Sequence, residues 1–234
     1  MRGNVRIGLP SWLSSRAGVR SPAGALTNDH GIAVVIALLL ALLLGAIAAA
    51  LVALTTTETS ISLSFRQAQE VSHGAEAALE RALHDLAAMG DWSATLAAPP
   101  GNVTSTFDDG ETVALTPAGR SLDLAQLTAE RQAESDSRAG PDVFGADSPE
   151  WRLFAHAPLQ ALLPGAGLDL PLYLVVWVAD DEWDGDGDPA VDSNERILIR
   201  AHAFGAGGAE RSAEARVGRT GGGDIHILAR REPR

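Results

Sequence analysis

The densest run of chemistry-bearing side chains is Asp180-Asp181-Glu182-Trp183-Asp184-Gly185-Asp186-Gly187-Asp188-Pro189-Ala190-Val191-Asp192-Ser193-Asn194-Glu195. With Asp184 as position 1, Asp184, Asp186, Asp188, Asp192 and Glu195 stand at positions 1, 3, 5, 9 and 12. These are ligand positions of a twelve-residue EF-hand loop, with Ala190 placed to offer a backbone carbonyl at 7 and Glu195 a bidentate carboxylate. The chemistry such a set supports is binding of a hard cation through oxygen. Ca²⁺ fits it better than Mg²⁺, which keeps waters and takes fewer protein carboxylates. Pro189 occupies the position where the EF-hand turn needs Gly, and the flanks read as strands. The expectation is therefore an isolated calcium loop between two strands, with Asp180 and Asp181 as alternative ligands. A solvated acidic turn is the competing reading, because Asp and Gly are favoured turn residues. Mutual repulsion of so many carboxylates favours a bound cation.

No other constellation suggests reaction chemistry. His30, His73, His84, His156, His202 and His226 are scattered, without a metal-ligand spacing such as H-E-x-x-H. There is no G-x-S-x-G and no phosphate-binding glycine loop. The Gly205–Gly208 stretch reads as a hairpin turn. The expectation is a protein that is not an enzyme.

The elements that must position the acidic loop are β-strands. Leu172–Val178 precedes it and Ile197–Phe204 follows it, with Ile197 and Ile199 alternating against Leu198 and Arg200. Glu210–Val217 returns after the Gly-rich turn as a third strand, which predicts an antiparallel meander of three strands, and Gly221-Gly222-Gly223 then precedes a short strand candidate, Ile225–Leu228. Trp151–Phe154 is a further strand start. Val103–Phe107 and Thr112–Thr116 flank Asp108-Asp109-Gly110 and predict a tight hairpin. Residues 119–150 read as a long polar loop with one short helix near Leu122–Gln132.

From Ile32 to Leu54 all 23 residues are apolar or Gly. A helix of that length spans roughly 34 Å, enough to cross a hydrocarbon core. Polar residues begin at Thr55 without Pro or Gly, and Phe65, Ala68, Ala75, Leu79, Ala82 and Leu86 recur at helical spacing. One helix is expected to run to Met89 and stop at Gly90-Asp91, with 55–64 its weakest stretch and Gly74 a possible bend. Glu76, Glu80, Arg81 and Asp85 fall largely off the apolar stripe. The chain thus divides into a basic leader (1–31), a transmembrane and amphipathic helix (32–90) and an acidic head (91–234).

The formal net charge is -12, all basic charge is Arg, and there is no Cys. Disulfides and thiolate metal sites are excluded. An acidic body repels nucleic acid, so none is expected as a partner. Arg2, Arg6, Arg16 and Arg20 precede the apolar run. The positive-inside rule puts that end in the cytoplasm and the head outside it, in a single-pass membrane protein.

Asp29-His30-Gly31-Ile32-Ala33-Val34-Val35-Ile36, with Gly at the border between a basic leader and an apolar helix, resembles the processing region of a type IV prepilin. The resemblance implies cleavage between Gly31 and Ile32 by a prepilin peptidase. Major pilins carry Glu at the fifth mature position, where this chain has Ile36; lack of that Glu is similar to the K-type minor pseudopilins of type II secretion. Gly31–Leu40, Thr55–Glu58, Phe65-Arg66-Gln67-Ala68 and Ala75-Glu76-Ala77-Ala78-Leu79-Glu80 together resemble the N-terminal region of PilX-type pilus assembly proteins.

The fold this implies is α+β and pilin-like, a long N-terminal helix packed on a small antiparallel sheet. The implied function is a minor pilin or pseudopilin, inserted in the inner membrane and able to enter an extracellular pilus. Its implied partners are other pilins, met through the helix, the peptidase and lipid. A membrane-anchored, calcium-dependent binding module outside any filament is the alternative, and an anchored enzyme with an unrecognised site is the third possibility.

Overall fold

The apolar run lies in a 60-residue helix, α1 (Asp29–Ala88), of a computed structural model that describes residues 29–162, 164–165, 167 and 170–231. The expected leader lies outside the described residues apart from Asp29, His30 and Gly31. The chain is α+β and divides into two units, Met1–Glu58 and Thr59–Arg234.

In the first unit the helix is long and apolar enough to cross a membrane, with a mean hydropathy of 3.1 over its most apolar window and none of that window buried. Leu38, Leu42, Leu44 and Leu51 are all more than half exposed. A core helix of a globular protein would cover such side chains. The polar stretch after Leu54 is helical too, with its hydroxyls turned back on the preceding turn. Thr55, Thr56 and Thr57 donate to Leu51 and Ala53 carbonyls at 2.6–2.9 Å, and Ser64 donates to Ser60 O at 3.0 Å.

The second unit is built on a five-stranded antiparallel sheet whose strands lie side by side in sequence order. Ahead of it come a short helix α2 (Ser93–Leu96), the paired strands β1 (Val113–Leu115) and β2 (Ser121–Asp123), α3 (Leu124–Ala139) and a single turn α4 (Pro141–Phe144). The sheet strands are β3 (Arg152–Pro158), β4 (Tyr173–Asp180), β5 (Arg196–Phe204), β6 (Glu210–Arg219) and β7 (Ile225–Arg231). The meander predicted from strand patterning is present, and each strand lies within a few residues of its expected place.

Strand alternation loads both faces. On one, Leu174, Val176, Val178, Ile197, Ile199, Ala201, Ala203, Ala213, Ala215 and Val217 meet Val71, Ala75, Ala78, Leu79, Ala82 and Leu86 of α1. The buried stripe therefore starts at Val71; Phe65 remains exposed. Burying a Leu such as Leu79 or Leu86 contributes about 2 kcal/mol. Gly74 is a packing position. A Cβ there would stand 2.7 Å from Leu172 Cδ1 and 3.2 Å from Ala203 Cβ, so the missing side chain brings helix and sheet together. The opposite face carries Tyr173, Val175, Trp177, Ala179, Leu198 and Phe204 under α3 and the β1–β2 pair.

Three expectations are revised. The hairpin about Asp108-Asp109-Gly110 does not form. Val113–Leu115 instead pairs with Ser121–Asp123 across a turn closed by Thr116 N donating to Arg120 O at 2.9 Å. Asp108 and Asp109 spend Oδ1 on the backbone N–H groups of Gly110 and Glu111, and the segment before them lies parallel to β3. The loop read over 119–150 contains a 16-residue helix, started by Asp123, whose carboxylate accepts from Ala125 N and Gln126 N. Asp85, placed off the apolar stripe, is buried and is paired with Arg81 at 3.0 Å.

Candidate functional site

The acidic loop leaves the sheet at the end of β4, where Asp180 pairs in register with Ile197 of β5. Asp180 is 2% exposed, and its Oδ1 is buried with no hydrogen-bond partner. Asp184 and Asp192 come back toward it. Each of the three carboxyl groups offers an oxygen, and these oxygens lie within 4.8 Å of one another.

Two ties close the loop. Both oxygens of Asp184 are met by Ser193, whose backbone N–H donates at 2.7 Å and whose hydroxyl donates to the other oxygen. Asp192 accepts from Arg196 N at 3.1 Å, and its own N–H donates to Ser93 Oγ of α2, also at 3.1 Å. Glu195, the last loop residue, has φ +58°. It holds a left-handed backbone conformation that non-Gly residues seldom take, and its carbonyl accepts from Arg219 N at 2.9 Å.

The electrostatics are one-sided. Burial pushes the Asp180 carboxyl up to about 8, with Asp184, Asp192 and Asp181 adding to the rise against the Asp181 backbone N–H. Burial also raises Asp181 and Asp192 above the usual carboxylate range. Asp181 is fully buried but satisfied in part. Its Oδ1 accepts from Asn194 Nδ2 at 2.7 Å, and Oδ2 is 3.8 Å from Arg216 Nε.

Of the loop residues expected as ligands, the structure brings Asp184 and Asp192 together and adds Asp180, which the sequence offers as an alternative. Asp186, Asp188 and Glu195 are not part of this cluster. Asp186 and Asp188 are exposed and bend the chain locally, accepting from Asp188 N and Ala190 N at 2.9 and 3.0 Å. Ala190 donates its N–H within that turn. The EF-hand register is a feature of spacing, and the fold groups the acids by strand end instead. Gly31 and Ile32 lie in the first turn of α1, both exposed.

A second cluster had no sequence signal, since its members are 48 residues apart in the chain. His156 of β3 is almost fully buried between Asp108, at 3.1 Å from Nε2, and Asp109, at 3.0 Å from Nδ1. Tyr173 Oη donates to Asp109 Oδ2 at 3.0 Å and lies 3.1 Å from His156 Nδ1. Burial, followed by Asp109, drives the Tyr173 phenol far above its ordinary value. These groups satisfy one another and pin the segment before β1 to the sheet.

Comparison of the chain with protein-family models, with curated proteins and with solved structures gives no match, so the reading of function rests on the residues and their geometry.

Proposed function

We propose that this chain is a membrane-anchored minor pilin or pseudopilin, a structural subunit of a type IV pilin-like filament. The observation that carries the reading is the make-up of α1. Residues 32–54 are all apolar or Gly and lie exposed, and the stretch from Val71 to Leu86 buries a stripe of small and aliphatic residues against an antiparallel sheet. An apolar surface of that extent needs lipid or other helices to cover it. The resemblance of residues 30–90 to PilX-type proteins supplies the filament, and Ile36 favours a minor subunit. The Arg-rich leader supports an N-terminus in the cytoplasm and an acidic head outside the inner membrane.

Processing tests this reading. Co-expression of the full chain with a prepilin peptidase is expected to shorten it by the leader 1–31, and Gly31→Leu is expected to block the cut. An unchanged mass for the wild-type chain would reject it. Recovery of the processed chain in sheared filaments would support it further. The second reading, an anchored calcium-dependent binding module, is favoured by the Asp180 cluster and expects surface binding without processing.

A further inference from the structure

We propose that Asp180, Asp184 and Asp192 form a site for one divalent cation, of the Ca²⁺ class, at the end of β4. The inference is independent of the filament reading.

The first ground is an unmet oxygen. Asp180 is 98% buried by its 2% exposure, and Oδ1 has no donor. A buried carboxylate oxygen without a partner is costly, and folded proteins satisfy such groups with hydrogen bonds, water or an ion. The second ground is convergence. Asp184 and Asp192 bring oxygens within 4.8 Å of the one Asp180 offers, a spacing at which one ion can touch all three. The third is the lack of an internal counter-charge. Among the described residues, none of the three is in a salt bridge, although Arg216 stands nearby on Glu182 and Asp181. Asn194 Oδ1, two residues beyond Asp192, is also buried without a donor.

The donor set selects the ion class. All three side-chain ligands are carboxylates, with no His or Cys among them, which suits a hard cation over zinc or copper. Three protein carboxylates leave three to five positions for carbonyls and water at a calcium centre. Mg²⁺ demands a tighter octahedron and gives up its waters reluctantly, so Ca²⁺ should compete well against it. The cation would join the end of β4 to the return of the loop. Because Asp192 is also tied to Ser93, the site would fasten the loop to α2.

The test uses the full chain in detergent micelles. Calcium binding is measured by isothermal titration after chelation, and thermal midpoint is measured with calcium and with chelator. The wild-type chain is expected to bind one Ca²⁺ and to gain thermal stability from it, since a ligand that binds the native state stabilises it. Asp180→Asn and Asp192→Asn should each weaken binding about tenfold or more. Asp180→Asn should melt at least as high as wild type in chelator, because the amide keeps the shape of a buried carboxyl crowded by Asp184 and Asp192 and cannot take on a charge. That expectation guards against mistaking a folding defect for a lost ligand. Asp186→Asn and Asp188→Asn should bind as wild type does. No calcium binding by the wild-type chain would overturn the proposal. So would binding that survives Asp180→Asn but is lost in Asp186→Asn and Asp188→Asn, an outcome that would assign the ion to the EF-hand register.

Discussion

The guanidinium of Arg219 stacks over the indole of Trp92, 4.3 Å from the ring centroid. From that position it donates to Leu86 O at 3.2 Å, Met89 O at 2.6 Å and Gly90 O at 2.8 Å. Trp92 Nε1 adds a further bond to Leu86 O at 3.0 Å. The last turn of α1 has no basic residue of its own. Arg219, at the end of β6, supplies both the donors and the charge that the carbonyl end of a helix lacks. Arg219→Ala is expected to destabilise the full chain by about 2 kcal/mol, from bonds to a charged donor, dipole and ring contact together. Arg219→Lys should recover only part of this, because an ammonium cannot fork to three carbonyls while lying flat on an indole. Thermal melts of both variants check the order, and equal losses would sink the argument.

Gly74 offers a separate test of how α1 meets the sheet. On an isolated helix, Gly74→Ala would raise stability by about 1 kcal/mol. Here the new Cβ meets Leu172 at 2.7 Å and Ala203 at 3.2 Å, so the gain is offset by displacement of neighbours. Gly74→Val adds two methyl groups at the same place and should cost about 2 kcal/mol, the range of overpacked cores. Denaturant melts that leave Gly74→Val as stable as wild type would mean the helix stands off the sheet.

The sequence was legible where one physical signal acts along the chain. Hydropathy marked α1 to within a few residues, and alternation in Ile197–Phe204 separated the two faces of β5 correctly. It was misleading where short polar side chains compete for backbone. Asp108-Asp109-Gly110 has hairpin composition, yet its carboxylates fold the local chain and hold His156, a residue far along the sequence. The acidic loop behaves the same way. Carboxylate spacing suggested one wrapped loop, but Asp186 and Asp188 are used in local turns, and Asp180 joins Asp184 and Asp192 because β4 ends there. Strand ends and cross-sheet neighbours depend on register, which spacing within a single segment does not specify.

The His156 cluster predicts a structural role for Tyr173. Its hydroxyl is the one donor to Asp109 Oδ2 among the described contacts, at 3.0 Å, and it also touches His156. Tyr173→Phe keeps the ring in the core and leaves that oxygen unpaired. The expected loss is about 2 kcal/mol, the cost of a hydrogen bond to a charged acceptor. Hydrogen exchange should locate it. Amides of Asp109 and His156, which bond across to β3 and to Phe107, should lose protection, while those of β5 should not. Uniform loss over the sheet would contradict a local pin.

His202 contributes one part of the dependence of stability on acid. It lies 8% exposed at the side chain, stacked on Phe204 at 4.3 Å, with Glu210 3.7 Å from Nε2. That distance is too long for a hydrogen bond. Burial lowers its pKa below the ordinary 6.5, and Arg131 and Arg200 push the same way against the pull of Glu210. The folded state therefore takes up the imidazole proton at lower pH than the unfolded state does. Its contribution to stability is full above about pH 6.5 and is lost as pH falls through the folded value. His202→Gln should flatten this part of the profile. Subtracting its unfolding free energy from that of wild type between pH 7.5 and 5 should give a difference that moves against wild type as acid is added. A proton resonance of His202 titrating above 6.5 would reverse the sign and reject the assignment.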